Sequence, residues 1–362
     1  MRNIRLFLGV GLVLLLALST LPAFGAEGKT PVWQPIVIGP GMEGHYIVTR
    51  DILGLPGMPV IDVLPGTVAV QIDLNGFTLY GSDTDAIRVN ATDSVTITNG
   101  TIMGGAGSGV NAIDCRKVVI EDVKIQFTQR FGIELVNVAN FTVKRNIMVS
   151  DSAAANFMLG GVWVDGTLAA DPVEGVIEDN QVSNVASGIT VQNGSSVSIR
   201  DNRVENAFAG DGIRVWVCNG CMIAENTIQE SQGMGILLEE VNVCKIYNNV
   251  VFGCVEGIAL FGQTSDCILL DNNSSRNMAN GLMVDGMRNH IDRNVFNFNG
   301  LAGIWFTQMS QDNTFGRNTV RANQMSPSGC VATTPPCFAP DICDDVGSNT
   351  SFGDNMGPGP GC

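Results

Sequence analysis

Asp211 and Glu256 each stand directly before a glycine, in the stretches D-G-I and E-G-I. Inverting hydrolysis of a glycosidic bond needs two carboxyls about 6.5–9.5 Å apart, one as acid and one as base. A second group is Arg214, Glu239 and Asp165. In β-elimination on a uronate an Arg can serve as base, and carboxylates supply part of a Ca²⁺ site. A third group is aromatic: Trp163, Trp216, Trp305 and Phe261, accompanied by Glu134 and Asp285. Aromatic faces stack on the C–H faces of pyranoses while carboxylates bond to hydroxyls, which is the chemistry of a sugar-binding groove. Cys218 and Cys221 form C-x-x-C, a redox pair or half a zinc site in a cytosolic chain. The chain has only two histidines, His45 and His290, and neither joins the acids, so zinc or His-based catalysis is not expected.

These residues are scattered over more than 150 positions, so something periodic must bring them together. A glycine followed by an apolar residue recurs at Gly109, Gly132, Gly161, Gly188, Gly212, Gly235, Gly257, Gly281 and Gly303. An asparagine three residues after an apolar one recurs at Asn146, Asn180, Asn202, Asn226, Asn249, Asn272, Asn294 and Asn318. Both landmarks share a beat of about 23 residues, the signature of a solenoid. Within one beat "GIRVWV" alternates as a strand, "CNG" turns, "CMI" alternates, Asn226 turns and "TI" opens a third strand. Three short strands per beat predict one coil of a parallel β-helix, with coils about 4.8 Å apart. Asn is expected to take the left-handed turn conformation there and to bond through its amide to the next coil. The inward column Val95, Val118, Phe141, Val197, Cys221, Cys244, Cys267 makes Cys221 a rung of the core, where Cys packs as a small hydrophobe, with room for one disulfide between stacked rungs.

The Gly-apolar and apolar-x-x-Asn pattern resembles the pectin-lyase-like right-handed parallel β-helix superfamily, and within it the carbohydrate-binding and sugar-hydrolase repeat proteins that include the periplasmic NosD type. "IDLNGFTLYG" (72–81) looks like the entry coil of that group, and the likeness covers residues 45–323. The resemblance implies an all-β solenoid of about eleven coils whose Gly-apolar strand displays the site. Alternation then places Glu134, Trp163, Asp165, Arg214, Trp216, Glu239, Phe261, Asp285 and Trp305 on its outward face. Partial motifs accompany it. The D-G step at Asp211 resembles the polygalacturonase N-T-D-G without its Asn-Thr. "GVWVDG" (161–166) resembles the pectate-lyase V-W-I-D-H with Gly166 in place of His. Asp171-Pro172-Val173 resembles the epimerase D-P-H without its His. The implied function is binding of an extracellular polysaccharide, with lyase, epimerase or hydrolase activity and Ca²⁺ as the candidate metal. The alternative is a non-catalytic accessory protein of NosD-like fold.

Composition fits this class. Gly is high at 43 and charged residues make up only 15 %, which suits many strands and turns. The formal charge of −15 argues against nucleic acid or an anionic membrane surface as partner. Arg2 and Arg5, the apolar run Leu6 to Leu18 and the small residues around Ala23-Phe24-Gly25 read as an export signal, cleaved after Gly25, for a secreted or periplasmic protein. Residues 26–70 are expected to cap and enter the helix, 71–323 to form it, and 324–362 to close it. Cys330, Cys337, Cys343 and Cys362 in that last segment are disulfide candidates with three pairings open. Two long insertions, "SDSAAANFMLG" and "GTLAADPVEG", are expected to wall the strand that carries Trp163 and Asp165.

Overall fold

The computed structural model describes residues 28–151, 158–167, 169, 171–323, 342–344 and 348–352. Among them there is no helix, and every strand pair is parallel, in one sheet of 24 strands and one of 13. A single beat supplies Ile213–Trp216 to the 13-strand sheet, then Met222–Ala224 and Thr227–Gln229 to the larger sheet. The next beat lies on it in register, with Ile213 on Ile236, Met222 on Lys245 and Thr227 on Val250. This is a parallel β-helix, and parallel crossovers of L-residues wind right-handed.

The alternation seen in sequence becomes ladders. Ile189, Ile213, Ile236, Ile258, Leu282 and Ile304 stack inward, beside Val191, Val215, Leu238, Leu260, Val284 and Phe306, and all are fully buried. Each such side chain contributes about 1.5–3 kcal/mol by leaving water. The glycine of the beat is required by close approach. A Cβ on Gly235 would lie 2.1 Å from Val251 Cγ1 and 2.9 Å from the Gly257 carbonyl oxygen. The third strand of the coil presses its inward side chain onto the start of the first, leaving no room for a methyl group.

The asparagines form a continuous buried amide ladder. Asn226 Nδ2 donates to Asn249 Oδ1 at 3.0 Å, and Asn249 Nδ2 to Asn272 Oδ1 at 2.9 Å. One part of the turn expectation is corrected. The left-handed residue is the one before each Asn, including Arg145, Asp179, Asp201, Glu225, Asn248, Asp271, Arg293 and Arg317. The bend falls there because the Asn side chain must point inward to reach the next coil, while its polar or charged neighbour faces solvent.

Cys221, Cys244 and Cys267 do lie in the core, but the bridge differs from the stacked one expected. Cys218 and Cys221 are disulfide-bonded across the turn of one coil, with Cα atoms 6.4 Å apart. Cys244 and Cys267 remain free and buried, the Cys244 N–H donating to Cys267 Sγ at 3.4 Å. Cys343 is disulfide-bonded; Cys330, Cys337 and Cys362 lie outside the described residues. So do the export-signal segment 1–25 and parts of both insertions, 152–157, 168 and 170.

Parallel pairing crosses the segment limits read from sequence. Lys29–Val32 pairs with Gly44–Val48, which pairs with Ala69–Asp73. Beyond residue 323, Ile342–Asp344 adds a strand to Ile304–Phe306, and Thr350–Ser351 one to Thr314–Gly316. The end coils lack the glycine marker but keep the strand pairing, the outermost strands on one side only.

Candidate functional site

The outward face of the 13-strand sheet consists of two side-chain columns. The first reads Asp62, Arg88, Asn111, Glu134, Trp163, Thr190, Arg214, Leu237, Ala259, Met283, Trp305. The second reads Asn90, Ile113, Val136, Asp165, Gln192, Trp216, Glu239, Phe261. Strand alternation places them there because the intervening residues fill the core. The three tryptophans thus share one face in two columns. Trp163 and Trp305 are six rungs apart, about 29 Å, with Trp216 in the neighbouring column between them.

The structure converges on one spot. Trp216 and Phe261 lie two rungs apart in the second column, about 9.6 Å, with Glu239 between them. Arg214 reaches diagonally from the first column. Its Nη2 meets Glu239 Oε2 at 2.7 Å, and its guanidinium carbon lies 5.7 Å from the centre of the Trp216 ring. Both charged side chains are more than a third exposed, so the pair contributes at most about 1 kcal/mol to folding. Trp216 Nε1 and Arg214 Nε are buried without a hydrogen-bond partner among the described residues. Such unpaired donors cost about 1–3 kcal/mol each, a cost that tends to persist where a site has a use beyond stability. Alongside, the turn following Gln192, Trp216 and Glu239 holds a shallow recess of about 300 Å³, lined in part by Asn193, Val217, Glu240 and Asn242.

Asp165 does not join this cluster. It stands three rungs from Glu239, about 14 Å, and accepts from the Thr167 backbone N–H at 2.8 Å and from the Thr167 hydroxyl. A calcium site built from Asp165 and Glu239 together is therefore ruled out by spacing.

Asp211 and Glu256 stand in the column just before the glycines, with Met234 between them. Each carboxylate is turned along the axis. Asp211 Oδ1 accepts the Met234 N–H at 2.8 Å, and Glu256 takes the Asn280 N–H at 2.9 Å and its side-chain amide at 3.2 Å. Burial pushes both carboxyls above their usual range; for Glu256 the Asn280 bonds oppose that, and for Asp211 the Met234 bond does. In this geometry they act as caps on the next strand. Glu134 is likewise committed: it is 5 % exposed, with Ser108 Oγ on one oxygen at 2.6 Å and Arg130 Nη2 on the other at 2.6 Å. Asp285 accepts from the Thr307 hydroxyl.

The other indoles rest on neighbours that sequence reasoning did not single out. Trp163 stacks on Phe131, ring centres 5.2 Å apart. Trp305 and Phe261 pack on a second apolar cluster, formed outside the core by Leu237, Ala259 and Met283. The available signal was Phe131 in the pre-glycine position and three consecutive apolar residues in an otherwise polar outward column.

Comparison with known proteins agrees with this architecture. A family model described as "Periplasmic copper-binding protein (NosD)" matches residues 161–328, and one described as "Right handed beta helix region" matches 85–210. No curated protein matches the chain. Among solved structures, the A-module of the Azotobacter vinelandii mannuronan C-5 epimerase AlgE4 is similar at 14 % identity over 90 % of each chain, with a TM-score of 0.61. The periplasmic alginate epimerase AlgG is similar at 14 % identity over 82 % of this chain and 78 % of its own, with a TM-score of 0.50. At such identities the likeness is one of fold. The chain folds as a right-handed parallel β-helix.

Proposed function

We propose that this protein binds a polysaccharide on the outward face of the 13-strand sheet, as an exported protein of the periplasm or cell surface. The observation that carries the reading is the Trp216–Glu239–Phe261 column with Arg214 against both Trp216 and Glu239. Two rings two rungs apart offer apolar faces for alternate sugar units, and the ion pair between them offers donors and acceptors to hydroxyls. The similar epimerases named for alginate and mannuronan support the substrate class, and the words "periplasmic" in the NosD and AlgG descriptions support the compartment.

Binding without turnover fits the carboxyls better than catalysis does. Asp211 and Glu256 are occupied by backbone N–H groups of the next coil, and Asp165 lies three rungs from Glu239. The NosD family model is named for copper. Among the described residues no three of His, Cys, Asp and Glu are grouped to hold a metal ion. Cys218 and Cys221 are joined to each other, and His290 is engaged with Thr314 and stacked on Phe352.

The test is a panel of acidic and neutral polysaccharides, read by tryptophan fluorescence and calorimetry. Parallel assays follow unsaturated-uronate absorbance and reducing ends. Saturable binding with both product assays silent supports the proposal. Product formation would make the protein an enzyme, and no binding to any member would refute it.

A further inference from the structure

A second feature lies on another sheet, on the outward side of the third strands. Val250–Phe252, Asn273–Ser274 and Val295–Asn297 stack there around a recess of about 380 Å³, closed at the turn by Arg276 and Phe298. Its two outward columns read Thr227, Val250, Asn273, Val295, Thr319 and Gln229, Phe252, Ser275, Asn297, Arg321. In a chain with 35 acidic residues, neither column contains a carboxylate over these five rungs; the rung before them brings Glu205, beside Gln229 and paired with Arg203. Of the two adjoining turn columns, one has Glu230, two rungs from Arg276 and so about 10 Å away, roughly a Debye length in physiological salt, and the other has Glu225 and Asp271, the latter held by Arg293.

The arginines here are also unusual. Arg88, Arg116, Arg145, Arg288, Arg293 and Arg317 each hold an aspartate partner. Arg276 and Arg321 form no ion pair among the described residues, and both are exposed. Asn297, half-buried beside them, has an Oδ1 without a hydrogen-bond partner. Phe298 is 59 % exposed, at a left-handed turn position that holds its ring at the rim.

We propose that this recess binds an acidic sugar, a hexuronate unit, as a site separate from the Trp216 face. Three requirements meet in one ligand. The phenyl rings of Phe252 and Phe298 need an apolar ring face, Arg276 in the lining, with Arg321 two rungs along beyond it, needs a carboxylate, and Asn297 Oδ1 needs a hydroxyl donor after a small rotation of its amide. A neutral sugar leaves the arginines unanswered, and a simple anion leaves the rings bare.

The experiment is calorimetric titration of the full chain with trigalacturonate, its methyl ester and cellotriose. Arg276→Gln, Phe298→Ala and Trp216→Ala serve as variants. Arg276 and Phe298 are exposed, so folding is retained, and thermal unfolding checks it. The expected result is trigalacturonate binding that falls about tenfold in Arg276→Gln and in Phe298→Ala, and persists with a one-to-one component in Trp216→Ala. The methyl ester should bind about tenfold more weakly than the acid to the native chain and equally to Arg276→Gln. Equal binding of acid and ester by the native chain, no effect of Arg276→Gln, or no binding of the acid overturns the proposal. Loss of binding in Trp216→Ala alone assigns the ligand to the other face and also overturns it.

Discussion

Replacing Trp216 by Ala removes one platform of the proposed glycan face, and the size of the effect follows from the structure. One face of an indole is about a third of the ring's 150–250 Å², so a sugar lying on it covers about 60–80 Å². At about 25 cal/mol per Å² that is about 1.5–2 kcal/mol. With 1.4 kcal/mol per factor of ten, the variant should bind about 10- to 30-fold more weakly. The ring is outward and only half-buried, beside Gln192 and Glu239 rather than in the core ladder, so the coil should stay folded. Calorimetry against the best member of the polysaccharide panel measures the loss, and near-ultraviolet circular dichroism checks the fold. Glu239→Gln is the informative companion. It keeps an oxygen for Arg214 but removes the charge, and should cost only about threefold, because an exposed pair is worth little. A folded Trp216→Ala protein that binds within twofold of the native chain would refute the assignment of this face.

The remaining predictions concern the scaffold that holds the site. Asn249→Ala removes Asn249 Oδ1, the acceptor shared by the buried Asn226 N–H and the Asn226 side-chain amide. At about 1–3 kcal/mol for each unsatisfied group, it should cost about 2–4 kcal/mol in urea unfolding, and a loss below 1 kcal/mol would contradict the ladder's role. Asp211 has a raised carboxyl, so the native state holds its proton more tightly than the unfolded chain. Stability from this group is therefore lost as pH rises from the unfolded carboxyl range through the folded value. Asp211→Asn keeps an acceptor for the Met234 N–H and removes that dependence, so it should gain on the native protein between pH 3.5 and pH 7; parallel melting-temperature profiles would refute this. Cys115, Cys244, Cys254 and Cys267 are buried, and burial pushes the Cys267 thiol up to about 11. A thiol reagent at neutral pH should leave all four unlabelled until the chain is unfolded.

The sequence by itself determined the solenoid, because a beat of about 23 residues with strand alternation allows no other way to bury its apolar positions. It also determined which residues face outward, since period-two alternation assigns sides without knowledge of contacts. Arg214, Trp216, Glu239 and Phe261 could be placed on one face from that rule alone. Tertiary structure decided how far apart the outward residues stand, and which of them are already occupied. The rung offset that sets Asp165 about 14 Å from Glu239 depends on counting coils through the irregular insertion at 166–175. The caps formed by Asp211 and Glu256 depend on side-chain rotation toward the next coil, and the burial of Glu134 on its partners Ser108 and Arg130, which no spacing encodes. The same holds for the bridge between Cys218 and Cys221, and for the bend at the residue before each Asn. These are contacts between stacked coils or across a turn, and a linear pattern carries the period of the stack but not the direction in which each side chain is spent.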